Sequence, residues 1–99
     1  MEQMQNETKV SVFVSRTCPA CKPYIHQIAE HCEKRDYKYN ITIIENNPIL
    51  TYKYLNKARE SGEIIDHAPF LMIEKEDKYK AIGGILDDKQ LTKLFKKYE

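Results

Sequence analysis

The sequence predicts a single α/β domain in which a four-stranded mixed sheet is flanked by three helices, in the order β-α-β-α-β-β-α. Three observations carry this expectation. Short runs rich in β-branched residues alternate with longer stretches of helical apolar period. The third and fourth strand-like runs are separated only by charged residues, as in a hairpin. The chain, at 99 residues, is near the usual size of one domain and too short for two. A strand-helix-strand unit closes a parallel pair by a right-handed crossover, and the later hairpin adds antiparallel strands, so the sheet should be mixed.

Residues 1–8 are polar and aperiodic and read as a flexible lead-in, which sets the domain at 9–99. VSVFVS, Val10 to Ser15, is short, apolar and β-branched, and the turn-like RTCP closes it, as suits a buried strand. In the first helix Ile25, Ile28, Ala29 and Cys32 recur at i, i+3, i+4 and i+7, and the pattern runs to about Arg35. YNITIIE, Tyr39 to Glu45, is the second strand. Asn47 then caps a helix with Pro48 at its first position and Gly62 as its stop. APFLMIEK and KYKAIGG form the hairpin around a charged turn. The last helix opens on a capping box from Asp87 to Gln90, and Leu91, Leu94, Phe95 and Tyr98 make its apolar stripe.

Composition excludes several classes. Apolar residues are 41% of the chain and charged ones 31%, with 3 Gly and 4 Pro, so it is neither disordered nor fibrous. The 16 basic and 15 acidic residues are spread along the length, without the single-sign block that would draw nucleic acid or a membrane surface. No apolar run approaches the roughly 20 residues of a membrane span, and MEQMQNETK lacks the apolar centre of a signal peptide. A cytoplasmic monomer is the expectation. Three cysteines are an odd number for a disulfide-stapled secreted domain, and two of them close together point to metal or redox chemistry.

SRTCPACKPY, Ser15 to Tyr24, holds that pair. A helix starting here puts Cys18 at the cap and Pro19 at the first helical position, where the missing N–H costs nothing. Residues at i and i+3 lie on one face about 5 to 6 Å apart, within the separation a disulfide accepts. Cys18 would face the positive end of the helix, with Arg16 and Lys22 nearby, so its thiolate is favoured. Cys18 is therefore the expected nucleophile and Cys21 the resolving thiol. Pro23 removes a donor four residues into such a helix and crowds the preceding turn, giving either a loosened, kinked start or a tolerated irregularity. Zinc is the rival, with Cys18 and Cys21 joined by Cys32, His26, His31 or His67. Closed zinc sites usually pair two such knuckles, and there is no second C-x-x-C, so no metal site is assigned. Cys32 shares the stripe of Ile25 and Ile28 and reads as a small buried hydrophobe. His67 either tunes Cys18 or is a surface polar residue.

Cys18-Pro19-Ala20-Cys21 between the first strand and first helix, HAPFLMI before the hairpin, and GGILD before the last helix are three landmarks in a fixed order. From Lys9 to Tyr98 the chain resembles the thioredoxin fold and, within it, the glutaredoxins most. The resemblance implies a dithiol-disulfide oxidoreductase that reduces protein or glutathione mixed disulfides through Cys18 and Cys21. It would carry no bound cofactor, with glutathione as co-substrate and disulfide-containing proteins as partners. It also implies that Pro69 is a cis-proline, with the backbone of Ala68 free to pair with a glutathione or peptide chain. Gly84 and Asp87 would receive the γ-glutamyl end of glutathione, and Arg16 its glycine carboxylate. The plainer alternatives are that the glycines only form a turn, Asp87 only caps the last helix and Arg16 is only a surface charge.

The chain departs from the glutaredoxin pattern at several points. Ala20 stands where that family has a tyrosine, His67-Ala68 replaces Thr-Val, Arg16 lies two residues before Cys18 rather than three, and Leu86 takes a place often small and polar. A redoxin of the thioredoxin or ribonucleotide-reductase kind, served by a flavin reductase, is the enzymatic alternative. A zinc-binding or interaction module is the non-enzymatic one. A bridged iron-sulfur dimer is disfavoured by Pro19, which stiffens the loop, and by Cys21, which competes for Cys18.

Overall fold

Strand β1 (Thr8–Val14) buries every side chain but Lys9, because its alternate residues face two covered sides of a sheet. It pairs in parallel with β2 (Lys38–Ile43) and antiparallel with β3 (Phe70–Lys75), and β3 pairs antiparallel with β4 (Lys78–Gly83). The sheet order is β2-β1-β3-β4, with β2 at one edge. Three helices complete the chain: α1 (Cys21–Arg35), α2 (Pro48–Glu60) and α3 (Asp88–Lys96). This is the predicted order and sheet type. The computed structural model describes residues 8–99, and the lead-in before Thr8 lies outside the described residues.

The two faces of the sheet are covered unequally. Val10, Val12 and Val14 of β1 join Leu71 and Ile73 of β3 to meet Tyr24, Ile28 and Cys32 of α1 and Leu91, Leu94 and Phe95 of α3. On the other face Ala58 of α2 packs with Met72 and Ala81, and Tyr54 and Tyr79 lie against them. Phe13 stacks on Phe70 with ring centres 4.6 Å apart, and Tyr54 lies 5.0 Å from Phe13.

Helix boundaries follow local chemistry. Asn47 Oδ1 accepts from the Leu50 amide at 3.2 Å with Pro48 at the first helical position, and Gly62 follows the α2 cap residue Ser61 in the left-handed region at φ 95°. At α3 the expected capping box is present: the Gln90 amide donates to Asp87 Oδ1 at 2.8 Å and the Asp87 amide to Gln90 Oε1 at 3.0 Å.

The start of α1 corrects the sequence reading. Cys18 does not cap the helix; the N-cap is Ala20, with φ −77° and ψ −12° and no side-chain cap. A helix beginning at Pro19 would ask position 23 for an N–H to the Pro19 carbonyl and would press the proline ring against that carbonyl. With Cys21 as the first helical residue, Pro23 falls inside the first turn, where no intrahelical donor is required. The loosened start is thus two turns, in which the Cys18 amide donates to the Ser15 carbonyl and the Cys21 amide to the Cys18 carbonyl, each at 3.2 Å. Strand β1 also starts earlier than expected, at Thr8, whose hydroxyl donates to the Tyr98 carbonyl at 2.9 Å.

Candidate redox site

The C-terminal end of β1 delivers Ser15, Arg16 and Thr17 into a loop that leads to Cys18. Cys18 and Cys21 are joined by a disulfide with their Cα atoms 5.4 Å apart, a separation within the ordinary range. Their surroundings differ. Cys21 is 2% exposed and packs in the main core, whereas Cys18 is half-buried at the surface. A thiol that an incoming disulfide can reach is the one that attacks, and its buried partner then displaces the substrate.

The loop is held by a residue the sequence reading missed. Glu45, just past β2, accepts the Ser15 hydroxyl at 2.6 Å on Oε2 and the Arg16 amide at 3.1 Å on Oε1. The Ser15 hydroxyl, followed by the Arg16 amide, holds the Glu45 carboxyl below its ordinary range. Placed in a strand by sequence, Glu45 carried no signal beyond being an acid after a β-rich run. The Arg16 guanidinium donates to Asn46 Oδ1, so these three hydrogen bonds tie the β1–α1 and β2–α2 loops together.

Beside Cys18 opens a cleft of about 350 Å³, walled by Val14, Ile25, Ile41 and Ile43 and flanked by Arg16 and Lys22. Of the sequence-predicted site residues, Arg16, Cys18 and Cys21 share it. The others gather before β3 and after β4. The Ala68–Pro69 peptide bond is cis, as the resemblance implies, and Pro69 is buried. The Gly84 amide donates to the Pro69 carbonyl at 2.9 Å, so this donor is committed within the fold. Asp87 spends Oδ1 on its cap and is otherwise exposed. His67 is exposed and bonds Asp66 at 2.6 Å, an interaction that lowers the Asp66 pKa.

The remaining cysteine has no part in this arrangement. Cys32 is free and fully buried, and burial pushes its thiol up to about 12. Among the described residues no group of three or more His, Cys, Asp or Glu side chains is placed to hold a metal ion. No described helix is long and apolar enough to cross a membrane.

No family model and no curated protein sequence matches the chain. Solved structures do. A mutant thioredoxin from Halobacterium salinarum superposes with a TM-score of 0.76 at 17% identity, over 94% of this chain and 75% of that one. The chain has the thioredoxin fold. Fasciola hepatica thioredoxin, with a TM-score of 0.74 at 14% identity, covers 95% of this chain and has 83% of its own length matched. A chloroplastic thioredoxin z gives 0.67 at 20% identity, over 94% and 79% of the two chains. The thioredoxin fold, together with a disulfide between an accessible and a buried cysteine at the end of β1, supports a dithiol-disulfide oxidoreductase.

Proposed function

We propose that this chain reduces disulfides of proteins and mixed disulfides of glutathione through a Cys18-Pro19-Ala20-Cys21 centre, as a cytoplasmic monomer. The observation that carries the reading is the asymmetry of the pair, Cys18 reachable and Cys21 2% exposed. In the reduced protein the Cys18 thiolate attacks one sulfur of the substrate disulfide, a Cys18–substrate bond forms, and the other sulfur leaves with the electron pair and takes a proton. The Cys21 thiolate then attacks Cys18 Sγ, releasing the second substrate thiolate and closing the disulfide. Two electrons have passed to the substrate. An external thiol, or a flavin-dependent reductase, returns them.

The test is disulfide reduction coupled to glutathione, with the single cysteine variants alongside. Cys18→Ser should lose activity and Cys21→Ser should accumulate mixed disulfides; full activity in Cys18→Ser overturns the reading.

One observation favours the second electron donor. The Gly84 amide and one oxygen of Asp87 are both occupied within the fold, which leaves less of the expected γ-glutamyl site for glutathione. Asp87→Asn keeps an N-cap residue and removes the charge. A raised KM for glutathione in that variant supports the glutathione reading. An unchanged KM, with efficient turnover by a thioredoxin reductase, supports the redoxin served by a flavin enzyme.

A further inference from the structure

Resting on that oxidoreductase reading, we propose that the cleft between α1 and the edge strand β2 is a side-chain subsite for polypeptide disulfides. It takes a large aliphatic residue next to the substrate cysteine, with an acidic residue beside it.

The cleft follows from where β2 lies. Its register sets Ile41 opposite Val12 and Ile43 opposite Val14, so both point to the α1 side of the sheet. Because β2 is the edge strand, its apolar residues are only partly covered. Val12 is fully buried, whereas Ile41 is 39% exposed. Ile25 of α1 forms the opposite wall and Cys18 stands in the lining. A chain bonded to Cys18 Sγ therefore hangs over an apolar hollow whose size falls at the small end of ligand sites.

Charge narrows the occupant further. Among the described residues Arg16 and Lys22 line the cleft and no carboxylate does. The nearby Glu45 is turned to the Ser15 hydroxyl and the Arg16 amide, and the Arg16 guanidinium meets the neutral Asn46. The rim is cationic and matches an acidic neighbour. This subsite lies on the β2 side of β1, whereas Pro69 leads into β3 on the other side. Glutathione, whose cysteine is followed by glycine, offers no side chain to fill it; a longer polypeptide does.

The experiment uses the full chain, reduced with dithiothreitol and freed of it. Two peptides are each capped on their single cysteine by thionitrobenzoate, one with leucine and glutamate beside the cysteine and one with serine and lysine. Attack by Cys18 forms the Cys18–peptide disulfide and expels coloured thionitrobenzoate with the electron pair of the broken bond; Cys21 then releases the peptide thiolate. We expect the second-order rate constant for thionitrobenzoate release, read over the single turnover that the protein's own dithiol allows, to favour the leucine-glutamate peptide about tenfold, or about 1.4 kcal/mol. Ile41→Asp should bring the ratio to about one or below. Lys22→Glu, at an exposed helix position, should reduce the ratio by slowing the glutamate peptide and speeding the lysine one, while a third, uncharged peptide with leucine and serine beside the cysteine is unaffected. A wild-type ratio near one, or a ratio unchanged by both variants, overturns the subsite. Release no faster than from Cys18→Ser with either peptide is a different failure, that of the oxidoreductase reading, and the subsite falls with it.

Discussion

Cys18, Cys21 and Cys32 share a small chain but sit at the surface, just beneath it and in the core, and their reactivity should follow that gradient. After reduction, iodoacetamide near pH 7 should modify Cys18 at least about tenfold faster than either other thiol. Cys32, pushed up to about 12 and fully buried, should react only once denaturant opens the core. Peptide mass mapping over time checks both; early labelling of Cys32 would contradict its placement. Tyr24 provides a second test. It is 1% exposed, its hydroxyl makes no hydrogen bond of good geometry among the described residues, and burial pushes its phenol up to about 12 against the smaller opposing effect of a weak contact with the Leu86 backbone. An unfolded tyrosine ionises near 10, so the folded state holds its proton longer, and the associated stability is complete below about pH 10 and lost as pH rises towards 12. Tyr24→Phe should leave stability at pH 7 within about 1 kcal/mol, since an unpaired buried hydroxyl is lost, and should flatten the alkaline part of a urea-denaturation profile. The reactive cysteines were legible because a short spacing carries them. Glu45 and the committed amide of Gly84 were not, because each acts on a residue far away in sequence.

Among the elements, α3 and α1 mark the two ends of what sequence reveals. The α3 start was readable because every partner lies within three residues, Asp87 to Gln90. Removing that cap should have its own signature: Asp87→Ala should cost about 1 kcal/mol by urea unfolding, and Asp87→Asn almost nothing. Equal losses would show that the carboxylate charge, rather than capping, matters there. The α1 start was misread because Pro19 attracts a helix start while Pro23 forbids a regular helix from that point, and the structure follows Pro23. Strand β2 ends at Ile43 rather than running on to Glu45, whose side chain turns back to the β1–α1 loop. The cleft beside Cys18 was invisible for a related reason. Alternation alone gives Ile41 and Ile43 a face, but only the sheet order puts them at an edge.

At the level of the molecule, three carboxyls among the described residues are held below their ordinary range: Glu45 first by the Ser15 hydroxyl, Asp66 by His67 and Asp88 by His31. Each contribution is present above the unfolded carboxyl values of about 3.9 to 4.3 and is lost as pH falls through the lower folded ones. Thermal midpoints should therefore decline below about pH 4. The Asp88 part is identifiable, because its bond to the buried His31, 2.8 Å long, joins α3 to α1. Asp88→Asn should make the acid decline shallower; a curve parallel to wild type would remove Asp88 from the account. The unequal covering of the sheet has a further consequence. One face is sealed by two helices over a continuous core, whereas on the other α2 is the one helix among the described residues and fully buries only Ala58 among its apolar side chains, leaving Ile49 83% and Tyr52 65% exposed. Helix α2 is thus the piece that can peel away at least expense. Its amides should exchange with deuterium well ahead of those in α1, through openings that leave the thiol-bearing half of the molecule closed.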